Sequence, residues 1–176
     1  MSSRFEPLGG ETVHEGTIFT VRTETFRHED GEEVTREVVR HQGAVGVVVH
    51  DGERLYLVRQ PRESVGVPDL LELPAGKLDI EGEAPLDAAK RELAEEIGKA
   101  AEDWEHLVSF YTSPGFTDEE VHLYLATGLS DASAEAEEDE RIEIVTQPLS
   151  ELDALIDEVR DSKTLIGLLE LRRRGA

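Results

Sequence analysis

The most informative segment of this 176-residue chain is residues 76–98, which read GKLDIEGEAPLDAAKRELAEEIG. Its second half has apolar residues at helical spacing, and proline just before them suits a first helical turn. These apolar positions are Leu86, Ala89, Leu93 and Ile97. Gly98 follows directly and is a residue type that commonly ends helices. The segment therefore predicts an amphipathic helix over 86–98, preceded by a glycine-containing loop.

The predicted helix gathers three carboxylates on one face, beside its apolar stripe. At about 100° per residue, Glu96 lies about 40° to one side of Glu92, and Glu95 lies about 60° to the other. Like charges three and four residues apart repel each other, so this arrangement indicates a bound cation. Carboxylate oxygens suit a hard ion, Mg²⁺ with Mn²⁺ as the alternative. Arg91 can pair with Glu95 one turn further on and position it.

The overall charge offers a competing interpretation of the acidic helix. The chain has 40 acidic and 18 basic residues, a net charge of −22, and only four lysines. Such a surface is typical of a halophilic protein, in which concentrated salt screens the self-repulsion. A solvated, salt-adapted helix would also be rich in glutamate. The set offsets of Gly76, Glu83 and Gly98 around the acidic face favour the metal site.

Composition and patterning also limit the class of protein. The negative charge disfavours nucleic acids and anionic membranes as partners. No apolar run approaches the roughly 20 residues of a membrane-spanning helix, the N-terminus lacks the apolar stretch of a signal peptide, and there is no cysteine. We therefore expect a cytoplasmic protein.

The remaining strands and helices are predicted from hydrophobic patterning. Strands are predicted within 11–40 and at 43–49, 55–58, 70–73, 105–111, 121–126 and 141–146, and further helices at 149–159 and 163–174. This order predicts a mixed sheet between helices.

Residues 76–98 resemble the Nudix box, Gly-x5-Glu-x7-Arg-Glu-U-x-Glu-Glu-x-Gly-U, in which U is apolar. Two positions depart from it: six residues instead of five separate Gly76 from Glu83, and Lys99 takes the last apolar position. The resemblance implies an α/β fold, a Nudix-type α/β/α sandwich with a mixed sheet. It also implies divalent-metal-dependent hydrolysis of a nucleoside diphosphate derivative, with the backbone carbonyl of Ala75 as a metal ligand.

The flanking segments LELPAG (71–76) and SPGFTDE (113–119) resemble the ADP-ribose pyrophosphatase subfamily. Pro114 lies 15 residues after the box, where that subfamily has a proline. The resemblance implies hydrolysis of ADP-ribose to AMP and ribose 5-phosphate. It also implies two regions: residues 1–41, a small antiparallel β region that contributes to substrate contact and a homodimer, and residues 42–176, the Nudix hydrolase domain.

The resemblance assigns roles to individual residues. The acidic loop 137–142 corresponds to the one that supplies the general base, with Glu138 favoured and Glu140 as an added metal contact or alternative base. The candidate catalytic residues are Glu138, Arg91 and Glu95. The candidate metal ligands are Ala75, Glu92, Glu95, Glu96 and Glu140. The candidate substrate-binding residues are Arg36, Arg62, Gly76, Pro114 and Glu119.

Two other functions fit the same residues. One is a Nudix hydrolase of another nucleoside diphosphate derivative, such as a sugar nucleotide or a dinucleotide. The other is a non-catalytic Nudix module that senses a ligand. The complete set of box carboxylates and the lack of a basic nucleic-acid-binding face argue against the sensing module.

Overall fold

The computed structural model describes residues 4–133 and 141–175, which form two compact units. Among the described residues, the first unit contains residues 4–43 and 111–120, and the second contains residues 44–110, 121–133 and 141–175. The acidic-loop residues Glu138 and Glu140 lie outside the described residues. No helix in the described part of the chain is long and apolar enough to cross a membrane.

The first unit is a three-stranded antiparallel sheet with a segment of chain along one edge. Its strands follow in sequence order, β1 (Phe5–Glu15), β2 (Phe19–His28) and β3 (Glu33–His41). On the outer edge of β3, Val39 donates its N–H to the carbonyl of Phe116 and accepts from the N–H of Asp118. The Asp118 carboxylate binds the backbone N–H of His41 and the guanidinium of Arg40, each at 2.9 Å. The segment after Pro114 therefore covers the open edge of β3.

The second unit is a mixed sheet with helices on both faces. Five strands form its main path in the order β10-β5-β4-β9-β8, while β6 pairs with β5 and β7 pairs with β4. Only the β4–β9 pair is parallel among the pairs with a described register in this unit. The strands are β4 (Ala44–His50), β5 (Arg54–Arg62), β6 (Val67–Glu72), β7 (Ala75–Lys77), β8 (Lys99–Tyr111), β9 (Glu120–Asp131) and β10 (Glu143–Pro148).

The helices cover opposite faces because the side chains of the central valine-rich strand alternate. Val45, Val47 and Val49 belong to the cluster that contains the apolar side of α1 (Pro85–Ile97), whereas Val48 belongs to the cluster with α2 (Leu152–Glu158) and α3 (Ser162–Arg173). All four valines are fully buried. The α/β/α sandwich predicted from the sequence is confirmed.

The main difference from the sequence prediction is β7, which lies at the start of the predicted loop. Its short sequence AGK has no strand periodicity, and it is extended because Gly46 and Val45 of β4 pair with Ala75 and Gly76. Helix α1 ends as predicted at Gly98, which adopts a left-handed φ of 64° and donates its N–H to the carbonyl of Ala94. Strand β1 begins at Phe5, earlier than predicted, and β8 begins directly after Gly98.

Candidate active site

Helix α1 and strand β7 together form the candidate site. The apolar side of α1 packs on the sheet, so its acidic side faces the 75–77 segment. Glu96 is one of few buried charged residues of the described chain, with 8% of its surface exposed. Its Oε2 accepts the backbone N–H of Ala75 at 2.9 Å. The Glu96 carboxylate is thereby fixed beside Ala75, whose backbone carbonyl the resemblance assigns as a metal ligand.

A single guanidinium ties the other carboxylates together. Arg91 donates to both oxygens of Glu83 at 3.1 and 3.0 Å, to Glu92 Oε1 at 2.7 Å and to Glu95 Oε2 at 3.0 Å. The hydrogen bonds that Arg91 donates to Glu83, followed by the charge of Glu92, raise the pKa of Arg91 above its ordinary value. One positive charge for three carboxylates leaves these four side chains with a net negative charge, which attracts a cation.

The glycine at position 76 is required by a close approach to Glu92. A Cβ atom built on Gly76 would lie 1.8 Å from Cδ and 2.0 Å from Oε1 of Glu92. Only glycine lets the backbone pass so close to the carboxylate. The first glycine of the box therefore sets the distance between β7 and the acidic side of α1, and Gly76 lies in contact with the candidate metal ligands.

These residues fit a hard divalent ion by chemistry. The donors are carboxylate oxygens, the cluster has a net negative charge, and β7 leaves room for the Glu92 carboxylate. Within residues 4–133 and 141–175, no three acidic or histidine side chains lie close enough together to hold a metal ion in their present conformations. Arg91 instead holds two of the candidate metal ligands, Glu92 and Glu95, so an ion would compete with this guanidinium or draw ligands from the backbone.

A second ionic network lies beside β7 and includes a predicted residue, Arg62. Its Nε and Nη2 atoms donate to the two oxygens of Glu72 at 2.6 and 2.8 Å. Glu72 is only 1% exposed and also binds the ammonium group of Lys163. Burial opposes ionisation of Glu72, but the two cations outweigh it and lower the pKa of the carboxyl group. The Glu72 hydrogen bond raises the pKa of Arg62.

Sequence reasoning missed three contributors to these contacts. Glu83 belongs to the box but was given no role, and it forms two of the four Arg91 hydrogen bonds. Glu72 and Lys163 were not selected at all. The available signal for Glu72 was a charged residue inside the apolar run LLEL (70–73), because a buried charge requires a partner. Nothing local identified Lys163 as that partner.

The remaining predicted substrate residues belong to the first unit. Arg36 lies on β3, where its Nη1 donates to the carbonyl of Thr35 at 2.9 Å. Pro114 is exposed in a turn in which Phe116 and Thr117 donate to the carbonyl of Ser113. Glu119 accepts the hydroxyl hydrogen of Thr112 at 2.6 Å.

Known proteins resemble this chain over most of its length. The model of the NUDIX domain matches residues 40–167. An ADP-ribose pyrophosphatase of Bacillus subtilis is 37% identical over 174 residues, which cover 96% of this chain and 93% of that protein. A methanol dehydrogenase activator of Bacillus methanolicus is 39% identical over 171 residues, with 94% and 91% covered.

A shorter match is closer in sequence. An ADP-ribose pyrophosphatase of Mycobacterium tuberculosis is 49% identical over 126 residues, which cover 71% of this chain but only 60% of that protein. A crystal structure of an ADP compounds hydrolase superposes with a TM-score of 0.85 at 24% identity, covering 98% of this chain and 94% of that one, and so supports the fold. The family model and the similarity to relatives over nearly the full chain agree with the box geometry: this chain belongs to the Nudix family.

Proposed function

We propose that this chain hydrolyses the diphosphate bond of ADP-ribose, giving AMP and ribose 5-phosphate. The observation that carries the proposal is the contact between Gly76 and Glu92, which brings the β7 backbone onto the acidic side of α1. Two relatives named ADP-ribose pyrophosphatase, at 49% and 37% identity, support this substrate.

Residues of α1 and β7 would hold the metal. Glu92, Glu95, Glu96 and the carbonyl of Ala75 are the proposed ligands within the described residues, and Glu140 is a further one outside them. Mg²⁺ is the proposed ion, with Mn²⁺ as the alternative. When bound, such an ion offsets the negative charge of a diphosphate and lowers the pKa of a water molecule.

The protein's own groups supply orientation and proton transfer. Arg91 holds Glu92 and Glu95 within hydrogen-bonding distance of one guanidinium, which limits the positions of both carboxylates. Glu138 is the proposed general base that takes the proton of the attacking water, with Glu140 as the alternative. The proposed substrate contacts are Arg36, Arg62, Gly76, Pro114 and Glu119, and arginine forks suit phosphate oxygens.

We also propose the setting in which the enzyme works. Residues 1–41 are proposed to form a dimer interface, and β1 is exposed along its whole length, so a second copy could cover it. The net charge of −22 supports activity in concentrated salt. A cytoplasmic location remains the expectation, with a small nucleoside diphosphate as the partner molecule and neither nucleic acid nor membrane.

The test is turnover by the full chain in low and in multimolar salt. Alkaline phosphatase releases phosphate from AMP and ribose 5-phosphate but not from intact ADP-ribose, so a coupled phosphate assay reports hydrolysis. Glu92→Gln and Glu96→Gln should each lose at least about 100-fold in kcat/KM, because each removes a charged metal ligand. Asp87→Asn is the matched control, since Asp87 lies on the same helix with an exposed side chain.

The outcome also separates the alternatives. The B. methanolicus relative is not named as an ADP-ribose pyrophosphatase. The assay therefore uses a panel of substrates that also contains sugar nucleotides and dinucleotides, and the substrates are ranked by kcat/KM. If one of these compounds has a higher kcat/KM than ADP-ribose, that compound is the preferred substrate and the ADP-ribose assignment is wrong. Binding of ADP-ribose without turnover at any salt concentration would contradict the proposal and favour the sensing module.

A further inference from the structure

The ionic network around Glu72 connects the last helix to the edge of the candidate site. Lys163 lies in the first turn of α3, and its ammonium group binds Glu72 Oε2 and lies 3.1 Å from Asp161 Oδ2. Arg62 binds the same Glu72 carboxylate from the other side with two hydrogen bonds. Glu72 therefore lies between two cations, one from β5 and one from α3.

The start of α3 is hydrogen-bonded to the backbone next to this carboxylate. Asp161 caps the helix and accepts the N–H of Thr164 at 2.9 Å and its hydroxyl hydrogen at 2.5 Å. The same hydroxyl oxygen accepts the backbone N–H of Leu73 at 2.9 Å, and Thr164 is fully buried. The backbone next to Glu72 is thus fixed to the helix that carries Lys163.

The three side chains of the network differ in burial, and Arg62 is the most exposed of them. Side-chain exposure is 1% for Glu72 and 14% for Lys163, but 39% for Arg62. The Nε and Nη2 edge of Arg62 faces the buried carboxylate, while Nη1 takes no part in that fork. Glu72 ends β6 three residues before Ala75, whose N–H binds Glu96 of α1. Through Glu72, Arg62 is therefore joined to the segment that contacts the acidic helix.

We propose that Lys163 is a positioning residue for the proposed reaction, which holds Glu72 so that Arg62 presents its Nη1 edge to a phosphate oxygen of the substrate. This inference rests on the proposed function. Lys163 itself stays turned toward the protein interior, between two carboxylates. Without its ammonium group Glu72 loses one of its two cations, and its carboxylate is no longer fixed in the plane that the Arg62 fork requires.

The first test is Lys163→Met, which keeps an unbranched side chain of nearly the same length and removes its charge. If the variant misorients the contact between Arg62 and a phosphate oxygen, the KM for ADP-ribose should rise about 10-fold. The kcat should change by less than about 2-fold. Lys90→Met is the matched control, because Lys90 is an exposed lysine 3.8 Å from an aspartate on α1. An unchanged KM in Lys163→Met, measured well below its melting temperature, would overturn the proposal.

A double variant shows whether the effect passes through Glu72. Glu72→Gln removes the buried charge, so adding Lys163→Met to it leaves no unpaired carboxylate at position 72. We expect the KM of the double variant to equal that of Glu72→Gln alone. A further rise in KM by the same factor as in the wild-type background would show that Lys163 acts elsewhere. A purely structural role would lower the melting temperature without this coupling in KM.

A third measurement does not depend on turnover. Phenylglyoxal modifies free guanidinium groups, and peptide mass spectrometry gives the rate at each arginine. Lys163→Met should speed labelling of Arg62 severalfold relative to Arg59, which lies on the same strand and outside this network. Unchanged labelling would contradict the positioning role. If the wild-type protein does not hydrolyse ADP-ribose but Arg62 is labelled faster in the variant, the proposed substrate is wrong. The positioning of Arg62 by Lys163 through Glu72 would still be supported.

Discussion

Substitution of Gly76 by alanine tests the contact on which the candidate site depends. The φ angle of Gly76 lies outside the left-handed region, so alanine can adopt the same backbone conformation. The new methyl group would lie 1.8 Å from Cδ and 2.4 Å from Cγ of Glu92, far inside van der Waals contact. The Glu92 side chain must therefore move away from β7.

The expected cost in stability is small, because the end of a flexible side chain can swing toward solvent. The main loss is the 2.7 Å hydrogen bond from Arg91 to Glu92, worth about 1–2 kcal/mol for a charged, partly buried pair. For a chain of this size that lowers the melting temperature by about 2–8 °C. Activity should fall at least about 100-fold, because a metal ligand leaves its place.

The assay compares thermal unfolding, Mg²⁺ binding by calorimetry and ADP-ribose hydrolysis for both proteins. Gly115→Ala is the stability control, since a Cβ atom at that position would have no other atom within 4 Å and the φ angle is ordinary. A Gly76→Ala protein that binds Mg²⁺ and turns over like the wild type would refute the reasoning. A large loss of stability would show that Glu92 cannot swing away and that β7 moves instead.

Two further predictions concern stability. Gly167→Ala should destabilise the fold by about 1–3 kcal/mol through overpacking, because its Cβ would lie 2.7 Å from Leu73 and 2.8 Å from Val48, both fully buried; chemical denaturation measures this, and an unchanged midpoint would contradict it. The pKa of Glu72 is lowered by folding, so its contribution is present above the unfolded pKa of about 4.5 and is lost as the pH falls through the folded value. The melting temperature of Glu72→Gln should therefore fall less steeply than that of the wild type below about pH 4.5, and parallel curves would exclude this contribution.

Most of the fold follows from local sequence patterns. The helix over 85–97 is encoded by its apolar spacing, a proline in its first turn and a glycine after its last turn, all of which act within a few residues. The valine-rich β4 has residues buried on both faces, which indicates a central strand between two layers. These signals predicted a mixed sheet between helices, and the resemblance to the Nudix family implied the α/β/α sandwich.

Strand β7 could not be predicted in the same way. Its residues have no strand propensity to speak of, and the extended conformation depends on pairing with β4, which lies about 30 positions earlier in the chain. The same holds for Glu72, whose burial is tolerable only because Arg62 and Lys163 supply two cations. Neither pairing has a local signature.

The sequence by itself determined that α1 has an acidic side next to an apolar one, because a helix converts a spacing of three or four residues into a common face. Only the tertiary structure decided what that face meets. Glu96 holds the backbone of Ala75 across 21 positions, and Thr164 holds that of Leu73 across 91. Such contacts depend on how separate elements pack, since hydrogen bonds between distant residues form only once the sheet and both helix layers are in place.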